Sequence, residues 1–160
     1  GGRYSPYSYP NTYSNKIVDK ASNYLGTKYT YGGKDASTGL DCSGFVTWSL
    51  LNGGFDVGDR GAGESPSDGQ LTDLGEFRLL TNELINSVNI KVGDLFNFWG
   101  HIAILIGQDD DNYYIAESLN NYKGVVVKTY SKKKVKNTFK YVVLMDDVYN
   151  GDGNLTNLWY

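Results

Sequence analysis

The pattern of hydrophobic and polar positions divides the chain into a helical first part and a strand-rich second part. Apolar residues recur near the helical period over residues 15–25, which predicts a first helix with Ser14 as its N-cap and Gly26 at its C-terminal end. A second helix is predicted to begin at about Asp41 and to end at the Asn-Gly-Gly sequence of residues 52–54. The first part of the domain is therefore expected to be helical.

The connection between the two parts is long and has little apolar period. Residues 55–75 are rich in Gly, Asp and Ser, which is typical of a loop, although Ser65-Pro66 could begin a short helix that ends at about Leu74. A further short helix is predicted over residues 81–87. The whole stretch 52–92 is either a wall beside a substrate cleft or a surface loop, and the sequence leaves both interpretations open.

From Asp94 onward the apolar residues are β-branched or aromatic and come in short runs separated by turn signals. These runs predict five strands, over residues 95–99, 102–106, 113–117, 125–130 and 139–145. Helices followed by strands with short connections indicate an α+β domain with a roughly five-stranded antiparallel sheet. Residues 1–13 are interpreted as a linker or cloning remnant and residues 150–160 as a C-terminal tail, so the domain is expected over residues 14–149.

Composition limits the classes of function. The 160 residues are 40% hydrophobic and 21% charged, as in one soluble globular domain. The formal net charge of -3 gives no support for a nucleic-acid partner, and no apolar run is long enough to span a membrane. The chain opens GGRYSPYSYPNTYSN, without the pattern of a signal peptide, so we expect a domain taken from a longer protein.

The counts of cysteine and histidine limit the chemistry further. One cysteine excludes an internal disulfide and a cysteine-based zinc site, and the single histidine argues against a mixed His/Cys metal cluster. We expect neither a metal nor a cofactor. Any chemistry would therefore depend on side chains alone.

The single cysteine, Cys42, has the setting of a reactive thiol. Asp41 stands where the N-cap of the second helix is expected, so Cys42 falls in the first turn, where the helix dipole and free N–H groups favour the thiolate. Gly44 removes a side chain next to the thiol and would let a substrate backbone approach. A lone cysteine at a helix start is more often structural, and here the surrounding residues favour a nucleophile.

A cysteine nucleophile needs a base, and the chain has one histidine, His101. It follows Gly100 at the start of an apolar strand, in the stretch VGDLFNFWGHIAILIG, and its ring could project over the edge of the sheet. A cysteine at a helix N-terminus and a histidine on a strand of a packed sheet form the dyad of papain-like peptidases. We therefore expect Cys42 and His101 to meet in the fold.

Four short motifs occur in the order of one known family. They are YTYGG at residues 29–33, DCSGF at 41–45, GDL at 93–95, and HIAI at 101–104 followed by Gly107. Each is weak alone, but together, within residues 14–145, they resemble the NlpC-type family of papain-like cysteine peptidases of bacterial cell walls. The resemblance implies a papain-like fold, with the nucleophile at a helix N-terminus that packs on the antiparallel sheet.

The same resemblance implies a function. Members of this family hydrolyse amide bonds in the stem peptides of peptidoglycan, often between D-glutamate and the diamino acid, and act as secreted enzymes at the cell wall. Carried over to this chain, Cys42 is the nucleophile, and His101 takes its proton and later protonates the leaving amine. The expected partner is a peptidoglycan stem peptide.

Five further residues are predicted to bind substrate. Tyr29 matches a tyrosine that lines the family's site near the oxyanion, and Tyr31 belongs to the same motif. Asp41 and Ser43 match positions that bind the amino end of the substrate, although helix capping alone would also explain them. Arg60, in the long connection, is of a type that the family uses near its cleft.

The third catalytic group is where the chain departs from the family, which usually has His, Asn or Gln on the strand after the histidine strand. The corresponding run here is YYIAES, and alignment without a shift places Ala116 at that position. Glu117, one residue further, is the predicted orienting group of His101 if a bulge changes the phase, because a slip of one residue moves a side chain to the other face. Asn120 and Asn121 are the alternatives.

Two other functions are compatible with the same residues. The dyad could hydrolyse or transfer the acyl group of another amide, or the domain could be a weakly catalytic wall-binding module. We expect a monomer, attached to further wall-binding or lytic domains in a longer protein. The lysines of residues 132–136 are interpreted as part of a solvated hairpin rather than a site for anionic wall polymers.

Overall fold

A computed structural model describes residues 12–53, 55–56, 61–62, 69, 71, 74–122, 124–148 and 156–157. The predicted site residue Arg60 and the start of the helix predicted at Ser65 lie outside the described residues. So do residues 1–11 and most of the predicted C-terminal tail.

Short helices and strands alternate along the chain. In order, they are α1 (Thr12–Asn23), β1 (Lys34–Asp35), β2 (Gly39–Leu40), α2 (Cys42–Asn52), β3 (Phe55–Asp56), β4 (Arg78–Leu79), α3 (Asn82–Ile85), β5 (Leu95–Phe98), β6 (His101–Gln108), β7 (Asn112–Leu119), β8 (Gly124–Ser131), α4 (Lys132–Thr138), β9 (Tyr141–Val143), α5 (Met145–Asp147) and β10 (Thr156–Asn157). The short strands β1 and β2 pair with each other, as do β3 and β10. Within the described part of the chain, no helix has the length and apolar character needed to cross a membrane.

Six strands form the main sheet of the described residues, in the order β4-β9-β5-β6-β7-β8, and every neighbouring pair is antiparallel. The predicted α+β class with an antiparallel sheet is confirmed, and the five predicted strands are β5 to β9. The sixth strand, β4, pairs Arg78 and Leu79 with β9 at the edge of the sheet. Two residues are too few to show the alternation from which a strand is predicted.

The main sheet is buried on both faces. Helices α1 and α2 cover one face, where Phe45 packs in the same core as Ile102 and Ile104 of β6. On the other face, Leu105 of β6 packs in a second core with Val135 of α4. Neighbouring residues of β6 thus enter different cores, as the two-residue period of a strand requires. Burial on both sides makes β6 a rigid support for the residue that begins it.

Two segments that form helices differ from what the sequence predicted. The first helix begins at Thr12, so Ser14 lies inside it and its predicted N-cap role is wrong. The apolar period from which the helix was predicted begins at Ile17, and it does not fix how far the helix extends before that residue. The lysine-rich segment is not a hairpin, because it forms α4, whose N-cap Ser131 accepts a hydrogen bond from a first-turn N–H. Only Val135 of α4 is buried, so the segment lacks an apolar period.

The YTYGG turn packs directly against the first turn of α2. The backbone N–H of Asp41 donates to the carbonyl of Gly33 over 3.2 Å. A Cβ atom on Gly44 would lie 1.9 Å from the same carbonyl oxygen. The space beside Gly44 is therefore filled by the protein's own backbone, and the expectation that it admits a substrate backbone is wrong.

We predict that Gly44→Ala lowers the free energy of unfolding by about 2 kcal/mol, because the added methyl group must displace the turn backbone. An ordinary Gly-to-Ala change inside a helix would instead stabilise it by up to about 1 kcal/mol. Urea unfolding followed by circular dichroism measures the difference. Gly61→Ala is the control, since a Cβ there meets nothing within 4 Å. Wild-type stability in Gly44→Ala would show that close packing of the turn does not require this glycine.

Candidate active site

The thiol of Cys42 lies at the first residue of α2. Asp41 is the N-cap, with extended backbone angles, and its Oδ1 atom accepts a hydrogen bond from the N–H of Gly44 at 2.7 Å. Cys42 is partly exposed, and its Sγ atom lies 3.6 Å from the carbonyl oxygen of Gly100. The predicted helix start is confirmed, and it places the sulfur where the positive end of the helix dipole favours an anion.

The carboxylate of Asp41 also holds the turn that precedes α2. Its Oδ2 atom accepts from the N–H of Gly32 at 3.1 Å, and its Oδ1 atom accepts from the hydroxyl of Ser43 at 3.2 Å. One side chain therefore joins the YTYGG turn to the helix that carries Cys42. These bonds are the capping role that the sequence also allowed, and substrate contact by Asp41 and Ser43 stays a prediction.

His101 is the first residue of β6, directly after a two-residue turn. Register pairs it with Phe98 across that turn, and Gly100 has a φ of +75°, where glycine is favoured over other residues. The side-chain amide of Asn97 donates to the backbone carbonyl of His101 at 3.0 Å. The imidazole packs against the rings of Phe98 and Phe139, with centroids 5.2 and 6.4 Å away, and the residue is 8% exposed. The ring is therefore held in one place.

Glu117 of β7 contacts His101 directly. The Nε2 atom of the imidazole lies 2.7 Å from Oε1 of the carboxylate, and Glu117 is only 1% exposed. The structure thus brings Glu117 to the imidazole, as the sequence predicted, whereas Asn120 and Asn121 lie in the exposed turn after β7. Its catalytic role as the orienting group stays a proposal.

A β-bulge explains why Glu117 faces His101. The register between β6 and β7 shifts between Leu105 and Gly107, as the sequence reasoning required. Beyond the bulge Ile104 pairs with Ala116, so the same register places Glu117 opposite Ala103. That position is diagonal to His101 on the same face of the sheet, within reach of long side chains.

The next residue on β7, Ser118, faces the opposite side of the sheet. Its hydroxyl donates to the carbonyl of Leu40 at 2.6 Å, one residue before the N-cap of α2. Two adjacent residues of β7 thus hold the two halves of the site, Glu117 through His101 and Ser118 through the segment that leads to Cys42. This contact was not predicted, because a serine in a strand gives no sequence signal of its partner.

The charge state of His101 follows from its neighbours. Burial lowers the pKa of the imidazole, but a hydrogen bond with Cys42 and both the hydrogen bond and the negative charge of Glu117 raise it more, to about 9. Because Nε2 is engaged by Glu117, Nδ1 is the ring nitrogen left for the thiol. The imidazole therefore carries its proton at neutral pH, as an ion pair with a thiolate requires.

The tyrosines of the YTYGG turn differ in their relation to the thiol. Tyr29 is partly buried, and its pKa is raised by burial first and then by the negative charges of Cys42 and Asp41. Tyr31 is 92% exposed. Tyr29 is therefore within electrostatic reach of the sulfur, whereas Tyr31 faces solvent.

Two aromatic residues near the site were missed by the sequence reasoning. Tyr130 of β8 is buried, and its hydroxyl donates to Oε2 of Glu117 at 2.5 Å. Trp99 is 71% exposed in the turn just before Gly100, whose carbonyl contacts the thiol. The alternation of side chains along β8 could have shown which face of the sheet Tyr130 lies on. Only the pairing of β8 with β7 shows that it contacts Glu117.

The arrangement contains the groups that nucleophilic catalysis needs. A thiol at a helix N-terminus, a buried imidazole and a buried carboxylate are linked by hydrogen bonds in that order. Among the residues that the structure describes, no group of three or more His, Cys, Asp or Glu side chains could hold a metal ion. The geometry is that of thiol-dependent acyl chemistry on a carbonyl substrate.

Comparisons with known proteins agree with this geometry. The family model for the NlpC/P60 family matches residues 26–152. Protein P54 of Enterococcus faecium is 36% identical over an alignment of 103 residues, and the alignment covers 57% of this chain and 16% of that protein. The chain thus spans about a sixth of the length of this relative.

Solved structures show the same fold. The NlpC/p60 domain of the peptidoglycan hydrolase SagA has a TM-score of 0.53 and 29% identity, over 81% of this chain and 97% of that one. A Staphylococcus aureus protein described as similar to a lipoprotein of the NLP/P60 family has a TM-score of 0.55 at 18% identity, over 89% of this chain and 45% of that one. The second likeness concerns the fold alone.

Because the chain has a single histidine, its titration can be observed directly. We predict that the imidazole signals of His101 titrate with a midpoint near 9 in the wild type, above the ordinary 6.5. Cys42→Ala and Glu117→Gln should each lower the midpoint, since each removes a raising interaction and leaves the effect of burial. Proton and nitrogen-15 NMR across pH 5 to 10 gives the three curves.

The same titration can contradict the proposed charge state. A wild-type midpoint at or below about 6.5, unchanged in both variants, would mean that neither neighbour acts on the imidazole. A matched control is Glu83→Gln, which makes the same substitution at an exposed position of α3 and should leave the midpoint unchanged.

Proposed function

The chain belongs to the NlpC/P60 family, and from this premise we propose that it is a peptidoglycan hydrolase whose nucleophile is the thiolate of Cys42. The observation that carries the proposal is the hydrogen-bonded series of Cys42, His101 and Glu117 at one end of the sheet. The likeness to the NlpC/p60 domain of the peptidoglycan hydrolase SagA supports the substrate class.

In the first half of the reaction, the thiolate of Cys42 attacks the carbonyl carbon of an amide in the stem peptide. The carbonyl oxygen becomes an oxyanion. The proposed donors to it are the backbone N–H of Cys42, at the N-terminal end of α2, and the hydroxyl of Tyr29. His101 then gives its proton to the leaving amine nitrogen as the carbon–nitrogen bond breaks. The products are a free amine and a thioester on Cys42.

In the second half, His101 is neutral and accepts a proton from water. The resulting hydroxide attacks the thioester carbonyl, and the carbon–sulfur bond breaks to release the carboxylic acid. The sulfur leaves as a thiolate beside the newly protonated imidazole, so the starting ion pair is restored. Glu117 accepts a hydrogen bond from Nε2 throughout and keeps Nδ1 directed at the sulfur.

We propose that the bond cleaved joins D-glutamate to the diamino acid of the stem peptide, or lies next to it. Asp41 and Ser43 lie at the N-terminal end of α2, beside the thiol, where they could contact the amino end of the peptide. Tyr31 offers an exposed ring on the adjoining turn. Action outside the cell at the wall, as a monomer with further domains in a longer protein, stays a prediction.

We predict that purified peptidoglycan incubated with the wild type releases muropeptides cut within the stem peptide, and that Cys42→Ala releases none. Removal of a covalent nucleophile should cost at least about a thousandfold in rate. Mass spectrometry of the soluble products reports both the activity and the bond. Leu51→Ala, at the exposed end of the same helix, is the control and should remain active.

The outcomes separate the competing functions. Equal digestion by wild type and Cys42→Ala, or binding without digestion by both folded proteins, would contradict the hydrolase. Products in which an added amine is joined to the peptide would instead indicate acyl transfer by the same thiol.

We predict that Glu117→Gln lowers kcat/KM for muropeptide hydrolysis by about a hundredfold, because an amide can accept from Nε2 but cannot stabilise the imidazolium by charge. The rate is measured with a purified muropeptide identified in the preceding experiment. Glu83→Gln serves as the matched control on the surface. Unchanged kinetics in a folded Glu117→Gln protein would remove Glu117 from the mechanism.

A further inference from the structure

Glu117 is a buried carboxylate with two oxygens and a different donor on each. Oε1 lies 2.7 Å from Nε2 of His101, and Oε2 accepts the hydroxyl proton of Tyr130 at 2.5 Å. Tyr130 is 3% exposed and belongs to β8, on the far side of β7 from the histidine strand. The carboxylate thus lies between His101, which takes part in the proposed reaction, and Tyr130, which does not.

Two donors are needed because the carboxylate is away from water. An unpaired oxygen of a buried carboxylate loses its hydration without replacement, which favours a rotated side chain that finds another donor. A rotated Glu117 could not accept from His101 in the observed geometry. The hydroxyl of Tyr130 removes this alternative, since it satisfies Oε2 and leaves Oε1 for the imidazole.

We propose that Tyr130 is a positioning residue that keeps Glu117 directed at His101. The proposal rests on the proposed function for its effect on catalysis, while the geometry it explains is independent of the substrate. Tyr130 touches neither the thiol nor the reacting carbonyl, and it acts only through Glu117.

The surroundings of Tyr130 fix its ring. Phe139 packs against it with ring centroids 5.7 Å apart, and Phe139 also stacks on the imidazole of His101. The ammonium groups of Lys128 and Lys134 lie 5.1 and 5.8 Å from the centroid of the Tyr130 ring. The hydroxyl is therefore held toward Glu117 by packing on one side and by cation–π contacts on the other.

The titratable groups near this carboxylate come from several elements. They are His101 of β6 with Cys42 of α2 behind it, Tyr130 and Lys128 of β8, and Lys134 of α4. The lysines lie over the tyrosine ring and are retained in the wild type and in a Tyr130 variant alike. A difference between the two proteins can therefore be assigned to the lost hydroxyl.

The test is Tyr130→Phe, which removes only the hydroxyl oxygen. Without its second donor, the carboxylate can rotate away from Nε2, and His101 then loses part of the interaction that raises its pKa. The NMR titration midpoint of His101 should therefore fall by about one unit from the wild-type value near 9. The variant should also be about tenfold slower in kcat, with KM unchanged. A merely structural role would lower stability without moving the midpoint.

Tyr114→Phe is the matched control. The hydroxyl of Tyr114, a buried residue of β7, also donates to a carboxylate, but that carboxylate belongs to Asp109 in the exposed turn between β6 and β7, at the other end of β6 from His101. The control should keep the wild-type midpoint of His101. The proposal is overturned if both variants shift the midpoint alike, or if Tyr130→Phe leaves it in place.

A second measurement does not depend on catalytic activity, and it is made on folded protein only. The proton between Nε2 of His101 and Oε1 of Glu117 should give a downfield NMR signal in the wild type. In Tyr130→Phe this signal should move upfield or be lost, because the carboxylate is no longer held at Nε2. The same signal in both proteins would overturn the role of Tyr130. Absence of hydrolysis with this NMR difference intact would count against the proposed function alone.

Discussion

The hydrogen bond between His101 and Glu117 is the interaction on which the rest of the site depends. A carboxylate that is 1% exposed would cost several kcal/mol if it had no partner, so it must have donors on both oxygens. The donors come from the two neighbouring strands, His101 from β6 and Tyr130 from β8. The bulge after Leu105 shifts the register of β7 so that Glu117 lies on the same face of the sheet as both. The order of strands in the sheet is thus a condition for a charged imidazole beneath the thiol.

The other half of the site depends on a second carboxylate, that of Asp41. It caps α2, ties the YTYGG turn to the helix and, through the carbonyl of Gly33, leaves no room for a side chain at residue 44. Ser118, next to Glu117 on β7, joins this half to the sheet through Leu40. Alternation along one strand therefore helps to fix the distance between the thiol and the imidazole, because Glu117 contacts His101 on one face and Ser118 contacts Leu40 on the other.

Sequence reasoning reached the site because its members lie at places with strong local signals. Cys42 follows a capping residue, His101 begins an apolar strand, and Glu117 lies one residue from an alignable position whose phase a bulge could change. Tyr130 and Ser118 could not be found in this way, since a hydrogen bond between strands depends on register and pairing order. The elements β4 and α4 were missed for another reason. β4 is too short to show a period, and α4 buries a single side chain.

In the proposed mechanism, a glutamate as the third group changes how one imidazole serves as acid and then as base. In the free protein, the interactions with Cys42 and Glu117 together hold the pKa of His101 at about 9, so the ring begins the proposed reaction as an acid. Once the sulfur is in a thioester it carries no charge and no longer accepts the imidazole proton, so the contribution of Cys42 to the raised pKa is gone. Burial, which lowers the pKa, remains. The proposed acylation therefore moves His101 toward the neutral form that must take a proton from water, while Glu117 keeps the ring in place.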